Sequence, residues 1–400
     1  MRIAYVSADP GVPVFGRQGA SAHAQSMLRA LRGLGHTVEL FTPRLGGEPP
    51  RGLADLPVHP LPIARRSRRW PPAWIALEVN HHLRSALEAA GPFDLVYERY
   101  SLWSYAAMDW AARAGVRSVL ELNGFLAAAS PRFRGWPDRH AAERVARRVV
   151  AMAGTLVAVS RGVAAEVEAF GAPAGRLHLV ANAVDPERFP EGLAPAWSAP
   201  PGSFTLGYLG ALQENRGVGV LLRAVAMLQR LHADCHLLLV GDGPERERLE
   251  DLTATLGLEA RVHFAGAVPP DEVPAWLAGL DVVVVPHHGV ADAAIAPLTA
   301  AECMAAGLPL IASAVGELRE LVRHEITGFL VPPGDALALA GAAARLCQDA
   351  GLRRRLGSNG RAAMLGRLSW SETANRVVSL AAPGPRPSIH VSEPSGWSPC

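Results

Sequence analysis

Short runs of consecutive hydrophobic residues alternate along the chain with stretches whose hydrophobic positions recur every three or four residues. That alternation predicts β-strands interleaved with amphipathic helices, the pattern of layered α/β proteins with parallel sheets. Strand-like runs fall at residues 3–7, 37–42, 95–97, 118–122 and 155–159, and a second series at 204–209, 236–240, 262–264, 282–285 and 310–312. The second series is almost unbroken hydrophobes, as expected of strands covered on both faces. A helix is expected over 22–34, stopped by Gly35, and another where Val218, Leu221, Leu222, Val225 and Leu228 form one apolar stripe. Pro244 is placed to open a third helix at its first position, where a missing N–H costs nothing, with Leu249, Leu252 and Leu256 on its buried face.

The chain has 400 residues, more than one ordinary core, so two domains are expected. Residues 190–202, rich in Pro, Ala and Ser, read as a linker between domains at 1–189 and 203–368. Residues 382–400 are rich in Pro, Ser and Gly with little to bury, and read as a disordered tail. Each domain is expected to be a doubly wound, Rossmann-like parallel sheet, the two facing across a cleft. Chemistry then belongs in the loops just beyond the carboxyl ends of the strands.

Composition narrows the class. The chain is 49% hydrophobic and 19% charged, a globular balance, and no run approaches the length of a membrane-spanning helix. Met1 leads straight into a strand pattern with no signal-peptide layout. Cys235, Cys303, Cys347 and Cys400 lie far apart, without metal-ligand or disulfide-framework spacing, which fits a reducing cytoplasm. There is no lysine, so anions must meet the planar, forked donors of arginine. The net charge of +2 is unevenly spread: residues 1–185 hold 22 arginines against 15 acidic residues, and the remainder 17 against 22. A basic first half suits an anionic partner or membrane surface, and equally an arginine-rich solvated one.

Four loops carry candidate chemistry. After the first strand, small residues including Gly19, Ala20 and Ser21 lead into a helix, with Ser21 placed as its N-cap. Backbone N–H groups and the helix start there could meet a phosphate, although a merely tight turn fits as well. Gly210, Leu212, Arg216 and Gly217 follow the first strand of the second series. A cation directly before a helix N-terminus is electrostatically out of place unless an anion joins it, which marks Arg216 as a phosphate ligand; a solvent-facing arginine is the plainer alternative. Gly241 and Gly243 make the next strand-to-helix turn, open to a nucleoside or simply a good turn. After the run at 282–285, Pro286, His287 and His288 begin a long loop to Pro297 and a helix carrying Glu302. A carboxylate so placed can accept two hydrogen bonds from a ribose diol, or merely complement the helix dipole. No acidic or cysteine partner stands at ligand spacing beside the two histidines, so no metal site is expected.

Taken together, these segments resemble a known family. Gly210-x-Leu212 with Arg216-Gly217, Gly241-Asp242-Gly243-Pro244, Glu302-Cys303-Met304-Ala305-Ala306-Gly307 and Thr327-Gly328-Phe329-Leu330-Val331-Pro332 look like glycosyltransferase family four, retaining enzymes of the GT-B fold. The front half agrees at Gly19-Ala20-Ser21-x-His23, Gly35-His36-x-Val38 and Asn182-Ala183-Val184-Asp185-Pro186-x-x-Phe189. The resemblance spans residues 1–380 and implies a nucleoside-diphosphate sugar on the second domain and an acceptor on the first. It implies that Glu302 holds the donor ribose and Arg216 neutralises the diphosphate, the two candidate catalytic residues. Gly210, Leu212, Gly241, Gly243 and Phe264 would join the donor site. The loop at Ile295, Ala296, Pro297, Leu298 and Thr299 would meet the sugar or β-phosphate, with Gly19, Ala20 and Ser21 closing over the phosphates. His23, Arg99 and Asn123 are the acceptor-side candidates, and the last helix, 369–381, would return to the first domain. No tightly bound cofactor or metal is implied. The implied reaction is hexosyl transfer with retention to a saccharide, lipid-linked or small-molecule acceptor, in polysaccharide, glycolipid or natural-product glycosylation; nucleic acid is not an expected partner.

Three positions depart from the family pattern. Ala294 stands where the first of two glutamates is common, Ala211 where a basic residue is frequent, and Asn123 where a histidine is frequent. Ala296-Pro297-Leu298-Thr299 is similar to a subset that also lacks the first glutamate, with Thr299 in place of its lysine, and Val96-Tyr97-Glu98-Arg99-Tyr100 is similar to the same subset. These departures leave a second reading, a catalytically weak nucleotide-sugar-binding partner of another transferase. A dehydrogenase is disfavoured because no GxGxxG follows any strand. Arginines and tryptophans in 65–74, and the helical pattern over 139–152 with Val145, Val149 and Met152, offer peripheral contact with an anionic inner membrane face. An acceptor-binding loop and a plain exposed helix are the alternatives there.

Overall fold

The computed structural model describes residues 1–63, 72–124, 139–173, 175–231, 234–288, 298–365 and 369–385. The chain divides into two units: Met1–Phe15 with Ala24–Ala181 and the residues from Ala374 onward, and Gly16–His23 with Asn182–Thr373. Strands and helices are numbered in chain order.

The first unit is built on β1 (Arg2–Val6), β2 (Thr37–Thr42), β3 (Val58–Pro60), β4 (Leu95–Arg99), β5 (Arg117–Leu122), β6 (Thr155–Ala158) and β7 (Leu177–Leu179). They are parallel in the order β3-β2-β1-β4-β5-β6-β7, so the chain reverses direction across the sheet between β1 and β4. Tyr5 and Tyr97 face one another at that point, fully buried and stacked with ring centroids 5.1 Å apart. The connections are α1 (Gly19–Gly33), α2 (Pro72–Ala90), α3 (Ala106–Ala114), α4 (Arg139–Met152) and α5 (Arg161–Ala169).

Several expectations change in detail. Helix α1 begins at Gly19, so Ser21 is a buried residue inside its first turn and not the N-cap. The strand β14 (Ala382–Pro383) pairs antiparallel with β5, so the start of the stretch expected to be a tail is ordered; residues 386–400 lie outside the described residues. Helix α4 has the expected bounds, but its side chains serve its own unit. Ala146, Val149 and Val150 are buried, Arg147 donates to the Phe170 carbonyl, and Arg148 pairs with Asp109. Of the apolar face expected there, Val149 is buried and Val145 and Met152 are half-buried. The other membrane candidate, 65–74, lies outside the described residues save for the backbone of 72–74. Among the described residues no helix is long and apolar enough to cross a membrane.

The second unit holds β8 (Phe204–Leu209), β9 (Cys235–Val240), β10 (Val262–Gly266), β11 (Val282–Val285), β12 (Leu310–Ser313) and β13 (Gly328–Val331), parallel in the order β10-β9-β8-β11-β12-β13. Its helices are α6 (Val218–Arg230), α7 (Arg246–Thr255), α8 (Val273–Leu277), α9 (Leu298–Ala305), α10 (Leu318–Leu321), α11 (Ala336–Gln348) and α12 (Ala350–Leu365). Alternate residues of each strand enter different cores, as the strand period of two requires. Leu237, Leu239, Val282, Val284 and Ile311 pack with the α6 stripe and α11. Leu238, Val240, Val283, Leu310 and Ala312 pack on the other face with α8, α9 and α10. Unbroken hydrophobic runs follow from that double cover.

Pro244 does not open α7: the helix starts at Arg246, after a turn in which the Glu245 N–H donates to the Leu212 carbonyl at 3.1 Å. The stretch 190–202 is irregular yet tied down, with the Ala196 N–H on the Ala275 carbonyl and Trp197 stacked on His263. Val184 and Phe189, just before it, belong to the second unit's core. Helix α13 (Trp370–Leu380) opens with a reciprocal cap, in which Ser369 and Glu372 each receive the other's N–H, at 3.2 and 2.7 Å.

Candidate active site

In the second unit the strand order reverses between β8 and β11, and ligands of open α/β sheets sit at such a reversal, beyond the carboxyl ends. Gly217, at φ +70°, ends the loop after β8; a Cβ there would lie 1.7 Å from the Pro286 carbonyl oxygen. Only glycine lets this turn press against the chain leaving β11. The contact brings Arg216 beside His287, with Nη1 3.4 Å from the imidazole Nε2. The Arg216 Nε is buried and has no hydrogen-bond partner among the described residues. An orphan buried donor on a cation is costly unless something completes it. Helix α6 starts two residues on, at Val218, with no side-chain cap and no acidic residue in its first turn, so its positive end is also uncompensated.

The neighbouring loops close the same edge through backbone. A Cβ on Gly241 would fall 1.8 Å from the Gly210 carbonyl oxygen, and one on Gly243 2.3 Å from that of Leu212. The Gly210 N–H donates to Val240, that of Leu212 to Asp242 and that of Gly241 to Gly266, at 2.9, 3.0 and 2.8 Å. Gly210, Leu212, Gly241 and Gly243 are thus brought together, the four residues that the resemblance groups. Phe264 lies on the outer strand β10, under the Arg246 guanidinium at 5.7 Å. Ala211 is exposed, and its carbonyl accepts from the Tyr208 hydroxyl, whose pKa is raised by burial.

Helix α9 carries Glu302 among the buried Ala300, Ala301, Cys303, Met304 and Ala305. Its side chain is 14% exposed, and Oε1 accepts from Arg188 Nη1 at 3.1 Å. Burial raises the Glu302 pKa, and Arg188 opposes that rise. Sequence reasoning misses Arg188, whose one signal is a place inside the Asn182-to-Phe189 motif. Leu298 and Thr299 begin α9, half-buried, while Ala294, Ile295, Ala296 and Pro297 lie outside the described residues.

The acceptor-side candidates separate. Arg99 and Asn123 stand at the carboxyl ends of the adjacent strands β4 and β5 in the first unit. Asn123 and Tyr97 both donate to the buried Glu121 carboxylate. Arg99 Nε is buried without a partner among the described residues, and burial lowers its pKa. His23 groups instead with the second unit, edge-on to Trp370 at 4.9 Å. Gly19, Ala20 and Ser21 fall in the same group, where neighbouring Arg17 donates to the Ala267 carbonyl at 2.8 Å.

Two doubly wound sheets, with an arginine and a buried carboxylate along the carboxyl edge of the second, define a GT-B scaffold. Comparison with known proteins agrees. The family model for glycosyl transferases group 1 matches residues 193–363, and that for glycosyltransferase family 4 matches 17–188. The chain belongs to this family of retaining, nucleotide-sugar-dependent glycosyltransferases. It is 32% identical over 295 residues to the 2-deoxystreptamine glucosyltransferase of Streptomyces kanamyceticus, covering 69% of this chain and 73% of that one. It is 29% identical over 323 residues to the D-inositol 3-phosphate glycosyltransferase of Salinispora tropica, covering 74% of this chain and 65% of that one. Among solved structures, Anabaena HepE in complex with UDP and glucose superposes with a TM-score of 0.69 at 19% identity, over 95% and 98% of the two chains.

Proposed function

We propose that the second unit binds a nucleoside-diphosphate hexose and that the first presents a polyhydroxylated ring as acceptor. The observation that carries this reading is the buried Arg216 Nε at the strand reversal, without a partner among the described residues and beside an uncapped helix start. Glu302 receives the ribose hydroxyls, Arg216 and the start of α6 receive the diphosphate, and the glycine-lined edge at Gly210 and Gly241 admits the nucleoside. In the transfer the bond from the anomeric carbon to the diphosphate oxygen breaks. Negative charge gathers on the departing diphosphate, and an acceptor oxygen bonds that carbon as its hydroxyl proton passes to the departing diphosphate oxygen or to water. Preorganised cations and helix N-termini stabilise that charge. Two relatives are named for inositol phosphate and 2-deoxystreptamine, which supports a cyclitol or saccharide acceptor near Arg99 and Asn123. The UDP held by HepE supports testing uridine donors first.

A thermal-shift panel of UDP-, GDP- and ADP-hexoses tests the donor site. A ligand present at about one hundred times its Kd adds roughly 2.7 kcal/mol, which is on the order of 5–10 °C for a unit of this size. Glu302→Ala and Arg216→Ala should each reduce that shift. If both variants keep the full response to the best ligand, the donor site lies elsewhere.

A further inference from the structure

One oxygen of the carboxylate assigned to the ribose is already engaged. Arg188 Nη1 donates to Glu302 Oε1 at 3.1 Å, and no described residue bonds Oε2. Arg188 is itself held from other sides. Its Nη2 donates to the Pro270 carbonyl at 2.9 Å, and its plane lies over the Phe189 ring, 5.6 Å from the centroid. Its backbone N–H closes a short turn onto the Asp185 carbonyl at 3.0 Å. Phe189 is buried, and its carbonyl accepts from Arg361 Nη1, which also donates to the Ala305 carbonyl at the end of α9. Arg361 thus ties the segment bearing Arg188 to the helix bearing Glu302. A guanidinium fixed in this way has little freedom left to lose when it binds a carboxylate.

We propose that Arg188 is the positioning residue for Glu302, occupying Oε1 so that the carboxylate presents Oε2 to the hydroxyls of the donor ribose. The inference rests on Glu302 being the ribose ligand. Without the arginine, a carboxylate this buried either takes up a proton or turns toward other donors. Either change removes a charged acceptor from the ribose. The opposite possibility is equally definite: if the ion pair competes with the ribose, breaking it should tighten nucleotide binding.

The test is titration calorimetry on the full chain with UDP, GDP and ADP, each paired with its 2′-deoxy counterpart. Wild type, Glu302→Ala, Arg188→Met and Arg188→Lys are compared. The ratio of the paired Kd values does not depend on the fraction of protein that is folded. A hydrogen bond to a charged group corresponds to roughly a ten- to hundred-fold preference for the ribonucleotide in wild type. Arg188→Met should bring that preference within about two-fold of unity, and Arg188→Lys should restore part of it. If Glu302→Ala loses the preference while Arg188→Met keeps it, or if Arg188→Met binds the ribonucleotide more tightly, the positioning role is overturned. If Glu302→Ala keeps the preference, or no pair binds wild type, the ribose assignment itself fails.

Discussion

Arg216→Met separates catalysis from stability, because the structure predicts effects of opposite character. Among the described residues the guanidinium has one long side-chain contact, 3.4 Å to His287 Nε2, and a buried Nε with no partner. Methionine fills similar space without the orphan donor. Relief of that desolvation, about 1 kcal/mol, offsets the lost contact, so stability should hold within about 1 kcal/mol. For a unit of this size that is roughly 2–4 °C in Tm. With Arg216 at the diphosphate, as proposed, turnover should respond very differently. A unit charge about 4 Å from the departing diphosphate, in an effective dielectric of about 20, is worth on the order of 4 kcal/mol. A single charge-assisted hydrogen bond is worth about 1.5–3 kcal/mol. A transition-state loss of roughly 2–4 kcal/mol is about 30- to 1000-fold in kcat/KM. The assay is nucleotide release from the best donor of the panel, with thermal unfolding of the same samples. A drop in Tm of about ten degrees accompanying the loss would make Arg216 structural, and an unchanged kcat/KM would remove it from the diphosphate.

Two further outcomes test the frame around the site. Gly217→Ala puts a Cβ 1.7 Å from the Pro286 oxygen at a φ of +70°, so it should cost about 3 kcal/mol or more in urea unfolding; a loss below about 1 kcal/mol would mean the loop is not pressed on β11. Glu98 is fully buried, accepts from Ser104 at Oε1, and its pKa is raised from 4.5 to about 7 chiefly by burial, with Asp109 adding to the rise. The folded state therefore holds this proton more tightly than the unfolded chain. Its stabilising effect is complete below pH 4.5 and is lost as pH rises to about 7, by up to about 3 kcal/mol. Glu98→Gln should flatten that slope between pH 5 and 8, and an unaltered slope would place the titration on another group.

The parts of the fold legible in the sequence are those set by local period. Strands covered on both faces read as hydrophobic runs, and the α6 stripe of Val218, Leu221, Leu222, Val225 and Leu228 is buried as its spacing requires. Strands β3 and β7 are three residues long, too short for any period to mark them. Pro244 and Ser21 follow sound local rules that tertiary contacts override. The Leu212 carbonyl holds the Glu245 N–H and delays α7, and Ser21 is buried inside the first turn of α1. Glu302 is legible as a carboxylate beyond a strand, but its bridge to Arg188 spans 114 residues of sequence. No local pattern encodes a pairing at that separation.

The absence of lysine sharpens the weight placed on Arg216. In the loop from Gly210 to Gly217 it is the sole cation, since Ala211 stands where a second basic residue is frequent in the family. Ala211 is exposed, and its carbonyl is taken by the Tyr208 hydroxyl, so that position offers the diphosphate no donor beyond its own N–H. Where two cations share a leaving group, removing one leaves the other partly to compensate. Here the remaining help from this loop is the uncapped start of α6, a partial charge worth about 0.3–1 kcal/mol in ordinary settings. That cannot replace a guanidinium worth several times as much. The loss on Arg216→Met should therefore fall toward the upper end of its range, and it should fall on kcat, where charge on the departing diphosphate is greatest, more than on donor affinity.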